Sequence, residues 1–215
     1  MNAINDGSGH KLTTEAHLRE IYKAPMDTAI RKQTDFVTEP GRALIEASPM
    51  IMMATASTDG LDVSPKGDGP GFVQVLDERT LLIPDRPGNN RLDGITNLLQ
   101  NPKVGIIFMV PGNNSTYRVN GSAYVSNDPA LLERFLVNGK PPRTVIVVKV
   151  EEAFSHCPKA FVRANLWEEG GKGHPARVPD HGTFAAHRDK GDQGDEDYAR
   201  QYVEDYKKRL PKELY

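Results

Sequence analysis

The sequence predicts a mainly β protein with short helices, folded as an antiparallel barrel. Short apolar or alternating runs recur with turn residues between them, and the helical patterns are brief. A doubly wound parallel sheet would need a helix after nearly every strand, and that pattern is absent. The 215 residues suffice for one ordinary domain with extensions, and a chain of this length can fold without disulfides. The organisation expected is a helical extension over 1–37, the barrel over 38–167, and a polar arm and helix over 168–215.

Met1 to Gly9, rich in Asn, Gly and Ser, reads as a frayed start. Thr14 can cap a helix to Tyr22, with Leu18, Ile21 and Tyr22 on one face. A second helix is expected over Pro40 to Ala47, with Ala43, Leu44 and Ala47 at helical spacing, ended by Ser48-Pro49. Met50 to Ala56 is a continuous apolar run, Thr58-Asp59-Gly60 a hairpin signal, and Leu61 to Lys66 the returning strand. After the glycine-rich loop Gly67 to Gly71 come a strand through Phe72, Val73 and Val75 and another over Thr80 to Pro84.

Asn90 to Leu99 reads as a helix capped by Asn90, with Leu92, Ile95, Leu98 and Leu99 inward. Val104 to Val110 is the strongest strand signal, and Tyr117 to Ser126 alternates cleanly. Asp128-Pro129 opens a helix to about Val137, Thr144 to Val150 is the last long strand, and Pro158 starts a helix to Leu166. Gly170 to Asp197 reads as a loose arm. Tyr198, Tyr202, Tyr206 and Leu210 then form a helical stripe suited to docking on the barrel or on a second subunit.

A formal charge of −2 gives no general attraction to nucleic acid or to an anionic membrane, so an anion site must be a local basic cluster. No run approaches the length of a bilayer span, and the lone Cys157 fits a reducing compartment; cytoplasm is the expected location.

The richest stretch for chemistry is Asp85-Arg86-Pro87-Gly88-Asn89-Asn90-Arg91, between an apolar strand and a helix start. Arg86 and Arg91 offer planar forks for a phosphate, and Asn89 and Asn90 offer neutral donors. A solvated turn with a capping asparagine explains the same residues, and the sequence alone leaves both readings open. Ser64-Pro65-Lys66-Gly67-Asp68 can bring a lysine and a close backbone to a flat ligand, or can be an ordinary strand end. Cys157 precedes a proline-started helix beside His156, but neighbours on an extended chain point apart, which argues against a nucleophilic pair. His174, His181 and His187 lack metal-ligand spacing and read as exposed histidines.

In order, Ala54 to Gly60, Asp62 to Asp68, Ile83 to Arg91, Asn101-Pro102, Arg118 to Ala123 and His156 to Ala160 resemble the flavin-nucleotide-binding proteins related to pyridoxamine 5′-phosphate oxidase. The resemblance covers about Thr38 to Trp167 and implies a six-stranded Greek-key split barrel that forms a homodimer, with FMN at the subunit interface. It maps phosphate binding to Arg86, Asn90 and Arg91, with Asn89, Pro84 and Asp85 beside them. The flavin ring falls to Ser64, Pro65, Lys66, Gly67 and Asp68, and Lys159 and Trp167 are expected to complete the pocket of the second subunit. The family's C-terminal Trp-x-x-x-Arg-Leu-x-Pro is reduced here to Arg209-Leu210-Pro211, with no tryptophan before it, which speaks against vitamin B6 oxidation. The expected function is a flavin-dependent oxidoreductase on an unknown small molecule. A flavin store or sensor, and a deazaflavin F420 reductase on the same fold, are the alternatives. Haem fits less well, because His156 is the one histidine in the barrel portion.

Overall fold

Alternating apolar side chains along seven segments build one antiparallel sheet. The strands are β1 (Met50–Ala56), β2 (Leu61–Gly67), β3 (Gln74–Asp77), β4 (Thr80–Asp85), β5 (Lys103–Met109), β6 (Thr116–Ser126) and β7 (Thr144–His156). The structure, a computed structural model, describes residues 10–168, 178–191 and 194–214. It divides into two compact units, Met1–Gln33 and Thr34–Tyr215. Spatial order in the sheet is β2-β1-β5-β6-β7-β4-β3. The antiparallel α+β class is as expected, but the sheet has seven strands rather than six and does not close.

The inner face of the sheet carries the main core, where Ile51, Met53, Leu81, Ile83, Ile106, Phe108 and Ile146 lose almost all contact with solvent. Each such side chain contributes roughly 2 kcal/mol by burial. A second cluster, Leu82, Phe135, Val145 and Val147, covers the other face of β4 and β7. β4 is therefore buried on both sides along Thr80 to Pro84, which fixes where the strand delivers Asp85 and the loop beyond it.

β7 runs to His156, six residues past the expected end at Val150. Glu151-Glu152 looks like a strand end in sequence, but a bulge opposite Asn120 and Gly121 absorbs it and the ladder resumes. Gly121 is needed there, because a Cβ would lie 2.0 Å from the Lys149 carbonyl oxygen.

The helices are α1 (Glu15–Ile21), α2 (Asp27–Arg31), α3 (Glu39–Ala47), α4 (Asp93–Gln100), α5 (Pro129–Leu132), α6 (Lys159–Ala164), α7 (His181–Lys190) and α8 (Glu196–Glu213). Thr14 caps α1 through its hydroxyl as expected. In α3 the buried residues are Gly41 and Ile45 rather than Ala43 and Ala47, because the ring of Tyr117 occupies the space beside Gly41. The Gly170–Asp197 segment is not a loose arm throughout: Asp180 caps α7, which pairs with α8. Residues 170–177 and 192–193 of that segment lie outside the described residues. The tyrosine stripe of α8 meets His181 of α7, which packs on Tyr202 and Tyr206. Among the described residues no helix is long and apolar enough to cross a membrane.

Candidate functional site

Edge strand β2 inverts the usual pattern of a half-buried strand. Its apolar Leu61, Val63 and Pro65 are exposed, while polar Asp62, Ser64 and Lys66 are half-buried. The polar row lines a cleft of about 640 Å³, large enough for a cofactor-sized ligand. Pro84 and Asp85 of β4, the loop from Arg86 to Leu92 and the first turn of α4 form much of the rest of the wall. Met53, Phe72, Ile95 and the Arg143-Thr144 step at the start of β7 complete it.

Two ion pairs cross the cleft's base. Lys66 Nζ donates to Asp85 Oδ1 at 2.7 Å, joining edge strand β2 to β4 near the opposite edge of the sheet. Arg86 Nε donates to Asp68 Oδ2 at 2.9 Å, and Arg86 Nη1 donates to the Phe135 carbonyl at 2.8 Å. These four side chains are only 9–19% exposed, so water screens them little. The sheet is thus drawn round on itself by charge where no strand ladder closes it.

The mouth is built differently. Asn89 Oδ1 accepts the Arg91 backbone N–H at 2.9 Å, and Asn90 sits in the left-handed region at φ 59°. Asparagine tolerates that conformation better than most residues. Asn90 is consequently not a helix cap: α4 starts at Asp93, and Leu92 precedes it without a side-chain cap. The inward residues of α4 are Gly94 and Leu98, while Leu92 and Leu99 are exposed, correcting the expected stripe. Gly94 lets the helix approach Asp62, whose Oδ2 would lie 2.7 Å from an added Cβ, and Asp62 accepts the Ser64 hydroxyl at 2.5 Å. Arg91 pairs with Asp93, and that hydrogen bond raises its pKa above the ordinary guanidinium value.

The structure brings together Ser64, Pro65, Lys66, Gly67, Pro84, Asp85, Arg86, Asn89, Asn90 and Arg91 in this one cleft. Asp68 stands behind it as the partner of Arg86. Lys159 and Trp167 are not in its wall; Trp167 stacks on Phe161 and donates its indole N–H to the Asn113 carbonyl. Cys157 is exposed, and the His156 ring packs beside Phe154. His181 and His187 lie exposed on α7, and His174 lies outside the described residues.

Sequence reasoning missed Arg143 and Thr144. Their only signal is Pro141-Pro142-Arg143 just before a strand, and nothing local reveals that Thr144 is registered against Asp85. Arg143 Nη1 donates to Asn90 Oδ1 at 2.9 Å. Thr144 keeps a buried hydroxyl with no hydrogen-bond partner among the described residues.

The family model described as pyridoxamine 5′-phosphate oxidase matches residues 37–157. Among solved structures, HupZ from Group A Streptococcus is 21% identical, with 55% of this chain and 93% of that one covered and a TM-score of 0.46. A Lactobacillus delbrueckii protein named for pyridoxamine 5′-phosphate oxidase is 24% identical, with 56% and 95% covered and a TM-score of 0.44. The FAD binding protein from Mycobacterium smegmatis is 14% identical, with 56% and 95% covered and a TM-score of 0.39. No curated protein matches the chain.

Proposed function

The chain belongs to the pyridoxamine 5′-phosphate oxidase family, and from that premise we propose that its cleft holds a flavin, FMN, in service of an oxidoreductase acting on a small molecule. The observation that carries the reading is the cleft itself: a polar strand wall faces apolar side chains, with guanidinium groups at the mouth.

Bound there, the flavin supplies two-electron redox chemistry. The chain's own part is binding, orientation and electrostatics. Met53 and Phe72, nearly closed to solvent, back the cleft with apolar side chains, Lys66 holds a fixed positive charge at the inner wall, and Asp62 with Ser64 offers a hydrogen-bonded carboxylate. The homodimer belongs to the same reading. Leu61 and Val63 stand 85% and 62% exposed on edge strand β2, which pairs with β1 on one side only, an apolar surface that a second copy would cover. Lys159 and Trp167 are then the residues that would reach the second subunit's cleft.

The test is the absorption spectrum of freshly purified protein before and after denaturation, with the released compound identified by mass. Flavin bands and released FMN support the reading, and oxidation of either reduced nicotinamide by the loaded protein supports turnover. A colourless protein that takes up no added FMN overturns it.

A further inference from the structure

Away from the cleft, two apolar surfaces of the chain lack a cover. The first is the segment before Thr34. Every described residue from His10 to Gln33 is exposed, and Leu12, Leu18, Ile21, Tyr22, Met26 and Ile30 stand 42–71% open to solvent. These side chains are patterned: Leu18, Ile21 and Tyr22 share one face of α1, and Met26, at the start of α2, lies one turn before Ile30. Helices of seven and five residues fall well below the roughly 12–15 residues at which an isolated helix becomes even marginal in water. The Thr14 cap and the Glu15–Arg19 pair are too weak to make up that deficit, so the segment needs a surface to fold on.

The second surface is the outer face of the sheet over β2, β1 and β5. Register sets Leu61, Val63 and Pro65 of β2 beside Ala56, Ala54 and Met52 of β1, and Ile107 of β5 extends the Met52 row. The Val63 and Pro65 rows meet no polar side chain before Asn120 and Arg118 of β6. None of these apolar residues is buried. Helix α4, which packs on β1 and β2, does so from the core side, with Gly94 against Asp62 and Thr55. An apolar sheet face is ordinarily covered by a second layer, and three strands span about 10 Å, the width of one helix with its side chains.

We infer that residues 10–33 of one copy lie across the outer face of β2, β1 and β5 of a second copy, and that the second copy returns the contact. This rests on the homodimer reading and names what the second copy brings to Leu61 and Val63. Each chain carries one surface of each kind, so a two-fold exchange uses both and closes at two copies. Burying one such side chain removes roughly 60–120 Å² of apolar surface. Two exchanged segments and the faces beneath them then remove on the order of 2,000 Å², the area of a stable interface.

The experiment joins sedimentation to cross-linking of the full-length chain. Ile21→Ser and Met26→Ser change exposed positions and leave the barrel core intact, and each should raise the dimer dissociation constant about tenfold, the scale of one large side chain no longer buried. For cross-linking, the exposed Cys157 is first replaced by serine. A chain carrying Ile21→Cys, mixed with one carrying Val63→Cys and treated with a short bismaleimide, should give a covalent heterodimer. A chain carrying both cysteines should likewise run as a covalent dimer. If that double variant is bridged within one chain, the segment folds back on its own sheet and the exchange is overturned. Bridging of Val63→Cys chains to one another would put sheet against sheet and overturn it as well. A wild-type dimer whose dissociation constant ignores both serine substitutions leaves the homodimer standing and removes the exchange. A wild-type protein that sediments as a monomer at every concentration overturns both.

Discussion

The barrel and the α7–α8 hairpin hold themselves together by opposite means. In the barrel, large aliphatic side chains fill a continuous core, and its seam is fastened by ion pairs withdrawn from water. In the hairpin the buried residues of α7 are Gly182, Ala185 and Ala186, which bury little apolar surface. Its helices approach so closely that a Cβ on Gly182 would lie 2.2 Å from the Ala199 carbonyl oxygen. Around that contact runs a ladder of rings and charges: His181 against Tyr202 at 5.3 Å, Arg188 over Tyr202 at 5.9 Å, and Lys190 over Tyr198 at 4.9 Å. The barrel should therefore respond to changes in volume and buried charge, and the hairpin to changes in solution conditions.

The largest effect is expected where the barrel tolerates no added atom. Gly121→Ala would press a methyl group against the Lys149 carbonyl at the bulge, and backbone cannot rotate away as a side chain can. Loss of stability on the order of 3 kcal/mol is expected, read as a fall in the urea midpoint. An unchanged midpoint would mean that the bulge is soft, and the contrast with the hairpin would lose its basis.

Next in size is the seam. Asp68→Asn leaves the Arg86 guanidinium, 16% exposed, without its carboxylate. Fully buried pairs broken this way cost several kcal/mol; here the Phe135 carbonyl still accepts from Arg86, so about 2 kcal/mol is expected. The matching change in the hairpin, Asp189→Asn, should leave the barrel's urea midpoint where it is, because the Arg188–Asp189 pair is solvated. Equal shifts from the two substitutions would show that burial of the seam pairs is not what sets their worth.

The same contrast explains which parts of the molecule were legible in the sequence. The strands β1, β4 and β6 could be read almost to the residue, because an alternating or continuous apolar run is a local signal of what the core demands. The Asp85 to Arg91 loop announced itself through residue types that suit both a turn and an anion. What stayed hidden depends on distant register. Arg143 enters the cleft only because Thr144 pairs with Asp85, and Arg86 turns out to be a fastener only because Asp68 lies opposite. The α7 helix was missed for a different reason: glycine and alanine at its contact give almost no apolar periodicity, so a helix held by close approach looks like a polar arm.

The smallest effect is a pH dependence of the hairpin. Hydrogen bonds from Arg188, and then from Tyr198, lower the Asp189 carboxyl to about 2. A folded-state pKa below the ordinary value of 3.8 stabilises the hairpin fully above about pH 4, and that contribution is lost as pH falls through 2. Tyr198 responds at the other end: its bond to Asp189 raises its pKa above 10.0, so its contribution is present below that value and lost as pH rises past it. Amide exchange measured at pH 5 and again near pH 2.5 should show α7 and α8 losing protection, while the ladder of β1, β5 and β6, held by apolar burial, keeps its own. Were both regions to lose protection together, the hairpin would not be a separate cooperative unit. Its ring-and-charge ladder would then share the barrel's stability instead of supplying its own.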